Sequence, residues 1–226
     1  MPGNKNWIPL ESNPDVLNEF LYSVGVPKSF SLYDVYNLED KHLEEIPQPV
    51  IAVLLLLPIT ENYEHYISTL SDDKKENPAN LFFMKQDVGN SCGSAALVNA
   101  VANCIDLPSD SKLGKFISQH KSSSPHERGD ALGKDECLKE VHHAAAQIGQ
   151  TPPPPAEESP QRHYVVLIHH EGSLYELDGH KDFIIKHGST SREDLLKDAA
   201  KVCQGHMDRD KDNVNFNVMV LAAKPK

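Results

Sequence analysis

The sequence lacks what a membrane protein or a polyanion binder would need. No apolar run exceeds the eight residues Val50–Leu57, whereas a membrane span needs about 20, so that run is predicted to be a buried strand. Basic residues are the minority, 22 Lys and Arg against 33 Asp and Glu. The resulting net charge of −11 argues against a nucleic-acid partner, which needs cations for its phosphates, and suits a basic protein or peptide. The opening residues Met-Pro-Gly-Asn-Lys-Asn hold no apolar stretch of the signal-peptide kind, so a cytoplasmic location, extending to the nucleus, is expected. Cysteine is scarce: Cys92, Cys104, Cys137 and Cys203 are the only four. With no Cys-x-x-Cys spacing they read as free thiols in a reducing compartment. Twelve histidines are present, but no His-Glu-x-x-His or Cys/His spacing is found, so neither a metal nor a cofactor is expected. What remains is globular: 39% apolar and 24% charged residues over 226 positions, enough for one domain with a substantial core.

Local signals divide the chain into elements. Asn13-Pro14-Asp15 offers a helix cap, a proline at the first helical position and an acid in the first turn. Val16, Leu17, Phe20, Leu21 and Val24 follow at helical spacing until Gly25. A short helix is predicted near Glu39–Glu45, then the Val50 strand, a polar surface loop over 71–80 and a short apolar strand at Leu81–Met84. Ser124-Pro125-His126-Glu127 reads as a capping box opening a helix, and another helix is predicted over 135–147. Ile148–Arg162, with consecutive prolines at 152–155, is too proline-rich for a helix and reads as a functional loop. The segment after residue 163 is expected to complete the first sheet with two or three strands and one helix, the latter capped by Thr190-x-x-Glu193. The alternation of Val214, Phe216, Val218 and Val220 marks its last strand. No internal repeat is evident, so 1–226 reads as a single domain.

Chemistry concentrates in three places. Gln86-Asp87-Val88-Gly89-Asn90-Ser91-Cys92-Gly93 precedes an apolar helical face of Ala96, Leu97, Ala100, Val101 and Cys104. Asn90 or Ser91 caps that helix and Cys92 enters its first turn, where unpaired N–H groups favour a thiolate. A core cysteine at a helix start fits this stretch equally well. The other two places are His163, opening Tyr164–Ile168, and Asp178, closing Leu174–Leu177. A turn at Glu171-Gly172 sets Asp178 opposite Val165 and makes His163 its diagonal neighbour, about 7–8 Å away on the same face. A turn placed one residue earlier in each strand sets His163 and Asp178 directly opposite, and only the intermediate register separates their faces. A carboxylate beside an imidazole fixes its tautomer. Together with a helix-capped cysteine this suggests a Cys–His–Asp thiol enzyme.

On these residues the sequence resembles the ubiquitin carboxyl-terminal hydrolases of short, single-domain type. Phe83-Met84-Lys85-Gln86 with Asn90-Ser91-Cys92-Gly93 is similar to that family's glutamine-to-cysteine signature, and Leu174–Gly179 is similar to its aspartate motif. His187-Gly188, Pro9-Leu10-Glu11-x-Asn13-Pro14 and Ala199–Cys203 also match, so the likeness runs along the whole chain. Ser94, Asn99, Cys104, His180, Asp182 and Ile184 depart from it, and none removes a catalytic atom. The resemblance implies a papain-like α/β (α+β) fold, with a mostly antiparallel central sheet, helices on both sides and a knotted backbone. It also implies that Cys92 is the nucleophile, His163 the base and acid, Asp178 its orienter and Gln86 the oxyanion-hole side chain. It makes 148–162 an active-site crossover loop. The implied substrate is ubiquitin or the related Nedd8, bound by a monomer through Asp34 or Glu11 on the arginines of its tail and through Trp7, Pro9 and Leu10 on its apolar patch. A module that holds monoubiquitin with low turnover, and a hydrolase of another ubiquitin-like modifier, are the alternatives.

Overall fold

The computed structural model describes residues 6–152, 154–155 and 161–224. The chain gathers into two compact units. Among the described residues one comprises 6–28, 82–152, 154–155 and 179–182, the other 29–81, 161–178 and 183–224.

The second unit is built on a seven-stranded antiparallel sheet. Its strands are β1 (Phe30–Asp34), β2 (Val50–Pro58), β3 (Lys75–Glu76), β4 (Arg162–His170), β5 (Ser173–Leu177), β6 (Ile184–Ser189) and β7 (Asn217–Ala223), with α2 (Asp40–Leu43), α3 (Glu61–Ser68) and α8 (Leu195–Arg209). The order is β1-β7-β2-β4-β5-β6-β3. The apolar run is the strand expected of it, and nearly all of β2 is buried, as befits a strand between two neighbours. Val53, Leu55 and Leu57 of β2, Val165 and Leu167 of β4, and Val218, Val220 and Ala222 of β7 form one core cluster with Leu195, Leu196, Ala199, Ala200 and Cys203 of α8. The period of two along each strand sorts these residues to one face, and His163 shares that parity. Glu171 and Gly172 both have positive φ, 47° and 79°, the hairpin turn that follows the right-handed strand twist. Pairing Val166 with Leu177 and Leu167 with Glu176 is the register in which Asp178 continues opposite Val165.

The first unit is helical: α1 (Pro14–Val24), α4 (Cys92–Cys104), α5 (Lys112–His120), α6 (Pro125–Lys134) and α7 (Glu136–Ala146). The Asn13 side chain accepts from Asp15 N at 2.9 Å, and Gly25 closes α1 at φ 103° with its N–H on the Leu21 and Tyr22 carbonyls. Ser124 and Glu127 form the reciprocal capping box of α6. Asp135 ends α6 and caps α7 by accepting from Leu138 N at 2.9 Å.

Several expectations are corrected. Leu81–Met84 forms no strand, because its partners are side chains. Asn103 accepts from Phe82 N and donates to Phe82 O, both at 2.8 Å. Asn99 does the same for Met84 at 2.8 and 3.1 Å. One helical turn of α4 thus spans the two-residue repeat of an extended chain. The polar stretch 71–80 contains a 3₁₀ turn, Asp72–Lys74, and β3. The segment after 163 holds four strands. Its helix begins at Leu195, with Ser191 Oγ rather than Thr190 accepting from Asp194 N at 3.1 Å. Val214 is 90% exposed and lies before β7. Of the loop 148–162, Pro153 and residues 156–160 lie outside the described residues, and Arg162 already belongs to β4.

Candidate active site

Cys92 is the first residue of α4. Ser91 holds the N-cap position but its hydroxyl donates to the Val88 carbonyl at 2.9 Å, so no side chain caps the helix. The thiol is partly exposed and in no disulfide, at the end where a helix leaves its N–H groups unpaired. Behind it every residue from Gly93 to Val101 is buried, the pattern of a helix running through a core rather than over a surface. Asn90, just upstream, adopts the left-handed conformation at φ 62°, which asparagine tolerates better than most residues. Its amide donates to Trp7 O at 3.1 Å while Trp7 N donates to Gly89 O at 2.9 Å. The N-terminal segment therefore stitches down the turn that delivers Cys92.

His142 of α7 makes a second stitch. Its Nε2–H donates to Ile8 O at 2.6 Å, so its Nδ1 accepts from the Ser94 hydroxyl at 2.7 Å. The ring is fully buried and lies 4.4 Å from that of Trp7. Burial pulls its pKa down to about 4, so the imidazole is neutral. Trp7 (3% exposed) and Leu10 (8%), expected to meet a partner's apolar patch, are buried here. Pro9 and Glu11 are half-buried. Glu11 accepts from Thr151 N and Oγ1, each at 3.0 Å, and the Thr151 amide leads in holding its carboxyl below the usual range.

Gln86 lies in the same unit as Cys92. Its backbone N–H donates to Gly179 O at 3.0 Å and its side-chain amide to Val88 O at 3.3 Å. Its Oε1 is buried without a hydrogen-bond partner among the described residues. Lys85, 6% exposed, donates to Asp182 at 2.8 Å and lowers that carboxyl.

His163 and Asp178 are brought together in the other unit. His163 Nε2 lies 2.5 Å from Asp178 Oδ1, with each residue 1% exposed. Donation from Nε2 to a carboxylate leaves Nδ1 as the basic nitrogen. Asp34, at the end of β1, accepts from Tyr36 Oη and Asn217 Nδ2, each at 3.3 Å. Sequence reasoning missed Tyr63, whose hydroxyl meets Asp178 at 2.6 Å across 115 positions. It also missed Glu176, which accepts from His187 at 2.7 Å and His206 at 3.1 Å.

The fold is one that known ubiquitin hydrolases share. A crystal structure of the Trichinella spiralis UCH37 catalytic domain bound to ubiquitin vinyl methyl ester superposes with TM-score 0.77, covering 97% of this chain and 96% of that one at 21% identity. The sequence adds what a fold alone does not. The family description "Ubiquitin carboxyl-terminal hydrolase, family 1" matches residues 7–208. A ubiquitin carboxyl-terminal hydrolase of Drosophila melanogaster is 46% identical over 222 residues, spanning 96% of this chain and 97% of its own length. Human ubiquitin carboxyl-terminal hydrolase isozyme L1 is 37% identical over 218 residues, spanning 94% and 96%. The chain belongs to ubiquitin carboxyl-terminal hydrolase family 1, the thiol-dependent ubiquitin hydrolases.

Proposed function

We propose that this chain, acting as one catalytic domain, releases small adducts or short peptides from the C-terminal glycine of ubiquitin. The buried 2.5 Å contact between His163 and Asp178 carries this reading. Cys92 gives its thiol proton to His163 as Sγ attacks the glycine carbonyl, and the Cys92 N–H with the Gln86 amide holds the oxyanion. His163 passes its proton to the leaving amine or thiol as the tetrahedral adduct collapses to a thioester. It then takes a proton from the water that hydrolyses that thioester. Asp178 keeps the imidazole in the required tautomer and stabilises its cation. No metal or cofactor enters these steps. Asp34 pairs with an arginine of the substrate tail, as charge complementarity favours for an acidic enzyme. Pro9 and Glu11, both half-buried, are further candidates for contact with ubiquitin, and Nedd8 is the alternative modifier.

The test is labelling by ubiquitin carrying a C-terminal electrophile, with the adduct mapped by mass spectrometry. Modification of Cys92 alone, and loss of turnover in Cys92→Ser with ubiquitin affinity kept within a few fold, are the expected results. Modification at Cys104, Cys137 or Cys203 refutes the assignment. The side-chain amide of Gln86 gives one of its two N–H groups to Val88 O and keeps the other for the oxyanion; a slow enzyme holding monoubiquitin is the second reading. Stoichiometric labelling without turnover identifies that case.

A further inference from the structure

Asp178 has two carboxylate oxygens, and each has its own partner. Oδ1 meets His163 at 2.5 Å, and Oδ2 accepts the Tyr63 hydroxyl at 2.6 Å. Tyr63 is 4% exposed and Asp178 1%, so water does not compete. The direction of the bond is fixed, because an ionised carboxylate only accepts. Burial, then the negative charges of Asp178 and Glu176, push the Tyr63 phenol far above its ordinary ionisation. It is a donor at every working pH.

Tyr63 is itself held from both sides. It is the third residue of α3, and its N–H donates to the N-cap hydroxyl of Thr60 at 3.1 Å. That hydroxyl donates to Asp210 Oδ2 at 2.6 Å, and Asn62 donates to Asp210 Oδ1 at 2.8 Å. Asp210 follows the last residue of α8, so one carboxylate clamps the start of α3 to the end of α8. On the other side the Tyr63 ring lies 6.0 Å from His206, which is bonded to Glu176. Glu176 precedes Asp178 by two residues and shares its strand face.

We propose that Tyr63 is a positioning residue for the hydrolysis, setting the plane of the Asp178 carboxylate and through it the orientation of the His163 ring. The proposal rests on the triad assigned above. A carboxylate turns about a broad, two-fold torsion. A hydrogen bond to one oxygen alone leaves that rotation open, whereas bonds to both, from groups on different elements, close it. The Asp210 clamp carries the placement of Tyr63 back to α8.

Tyr63→Phe removes one oxygen and keeps the ring. For release of a fluorogenic amide from the ubiquitin C-terminus, kcat should fall about tenfold while KM stays within about twofold. Nuclear magnetic resonance adds a readout that a merely structural role would not move. The downfield Nε2–H signal of His163 should shift and exchange faster in the variant. Asp210→Asn should reproduce a weaker version of both changes. In an Asp178→Asn background Tyr63→Phe should add nothing, since it acts through that carboxylate. Wild-type kcat in Tyr63→Phe, or an undiminished effect in the Asp178→Asn background, overturns the proposal. Wild-type kcat in Asp178→Asn alone instead overturns the triad on which it rests.

Discussion

The backbone amide of Gln86 and the carbonyl of Gly179 are bonded at 3.0 Å, and they leave no room between them. A Cβ added at Gly179 would stand 3.0 Å from Gln86 Cβ and 3.1 Å from Gln86 N. Both contacts are tighter than ordinary van der Waals separation. Gly179 directly follows Asp178 in the chain.

Gly179→Ala should therefore displace Gln86 by a few tenths of an ångström and damage catalysis more than folding. We expect kcat to fall roughly fivefold, because small misplacements of reacting groups carry large rate penalties. Steady-state kinetics with a fluorogenic ubiquitin amide, beside a thermal melt, checks this. A melt lowered by many degrees with kcat intact would contradict it.

Asn99 is predicted to be a stability residue. In Asn99→Ala the Met84 N–H and C=O both lose their partner in a buried setting. Each unsatisfied group costs about 1–3 kcal/mol, so roughly 2–6 kcal/mol should be lost, a large share of a domain's total stability. Asn99→Asp should be almost as damaging, since a carboxylate accepts from Met84 N but cannot donate to Met84 O. Urea unfolding of the two variants against wild type measures both.

That pairing also explains where the sequence is readable and where it is not. Leu81–Met84 has the composition of a strand, and a strand is predicted; its actual partners, Asn99 and Asn103, look like polar positions on an apolar helix. The hairpin carrying His163 and Asp178 is legible through its turn at Glu171-Gly172, whereas its register, open in the sequence, is fixed by the pairing of Val166 with Leu177. α1 is legible through Asn13, Pro14 and Gly25. β3 is two residues long, with no apolar alternation to announce it. α3 and α5 bury only Tyr63 with Ile67 and Leu113 with Phe116, too few for a clear periodic signal. The Tyr63 contact is a product of folding, formed between a helix and a strand end that no local pattern relates.

His142 gives the fold a pH dependence. An unfolded imidazole titrates near 6.5, and the folded one near 4 because of burial. Below the unfolded value the unfolded chain binds a proton that the native state refuses, so stability falls as pH drops. The contribution is fully present above about 6.5 and should decline by about 3 kcal/mol by pH 4. His142→Gln should flatten that part of the curve. Denaturant midpoints at pH 7 and pH 5 for both proteins test this, and parallel declines would argue against it.

Asp34→Lys reverses the charge offered to an arginine-bearing tail. Ubiquitin affinity, measured by calorimetry in the Cys92→Ser background, should weaken on the order of tens-fold. Alkylation of Cys92 by iodoacetamide in the otherwise wild-type chain should be unchanged by the same substitution. Equal affinity would place the tail elsewhere.

The order of strands sets a problem for the ribosome. β2, the longest apolar run in the chain, lies between β4 and β7, both of which come from beyond residue 161. Translation proceeds at about 5–20 residues per second, and about a hundred residues separate β2 from β4. For roughly 5–20 s after its synthesis, β2 therefore has apolar faces with no sheet to enter and two edges of unbonded amides and carbonyls. Such a segment is a template for pairing with another nascent chain. Yield in a cell-free system should accordingly rise on addition of trigger factor or Hsp70-type holdases.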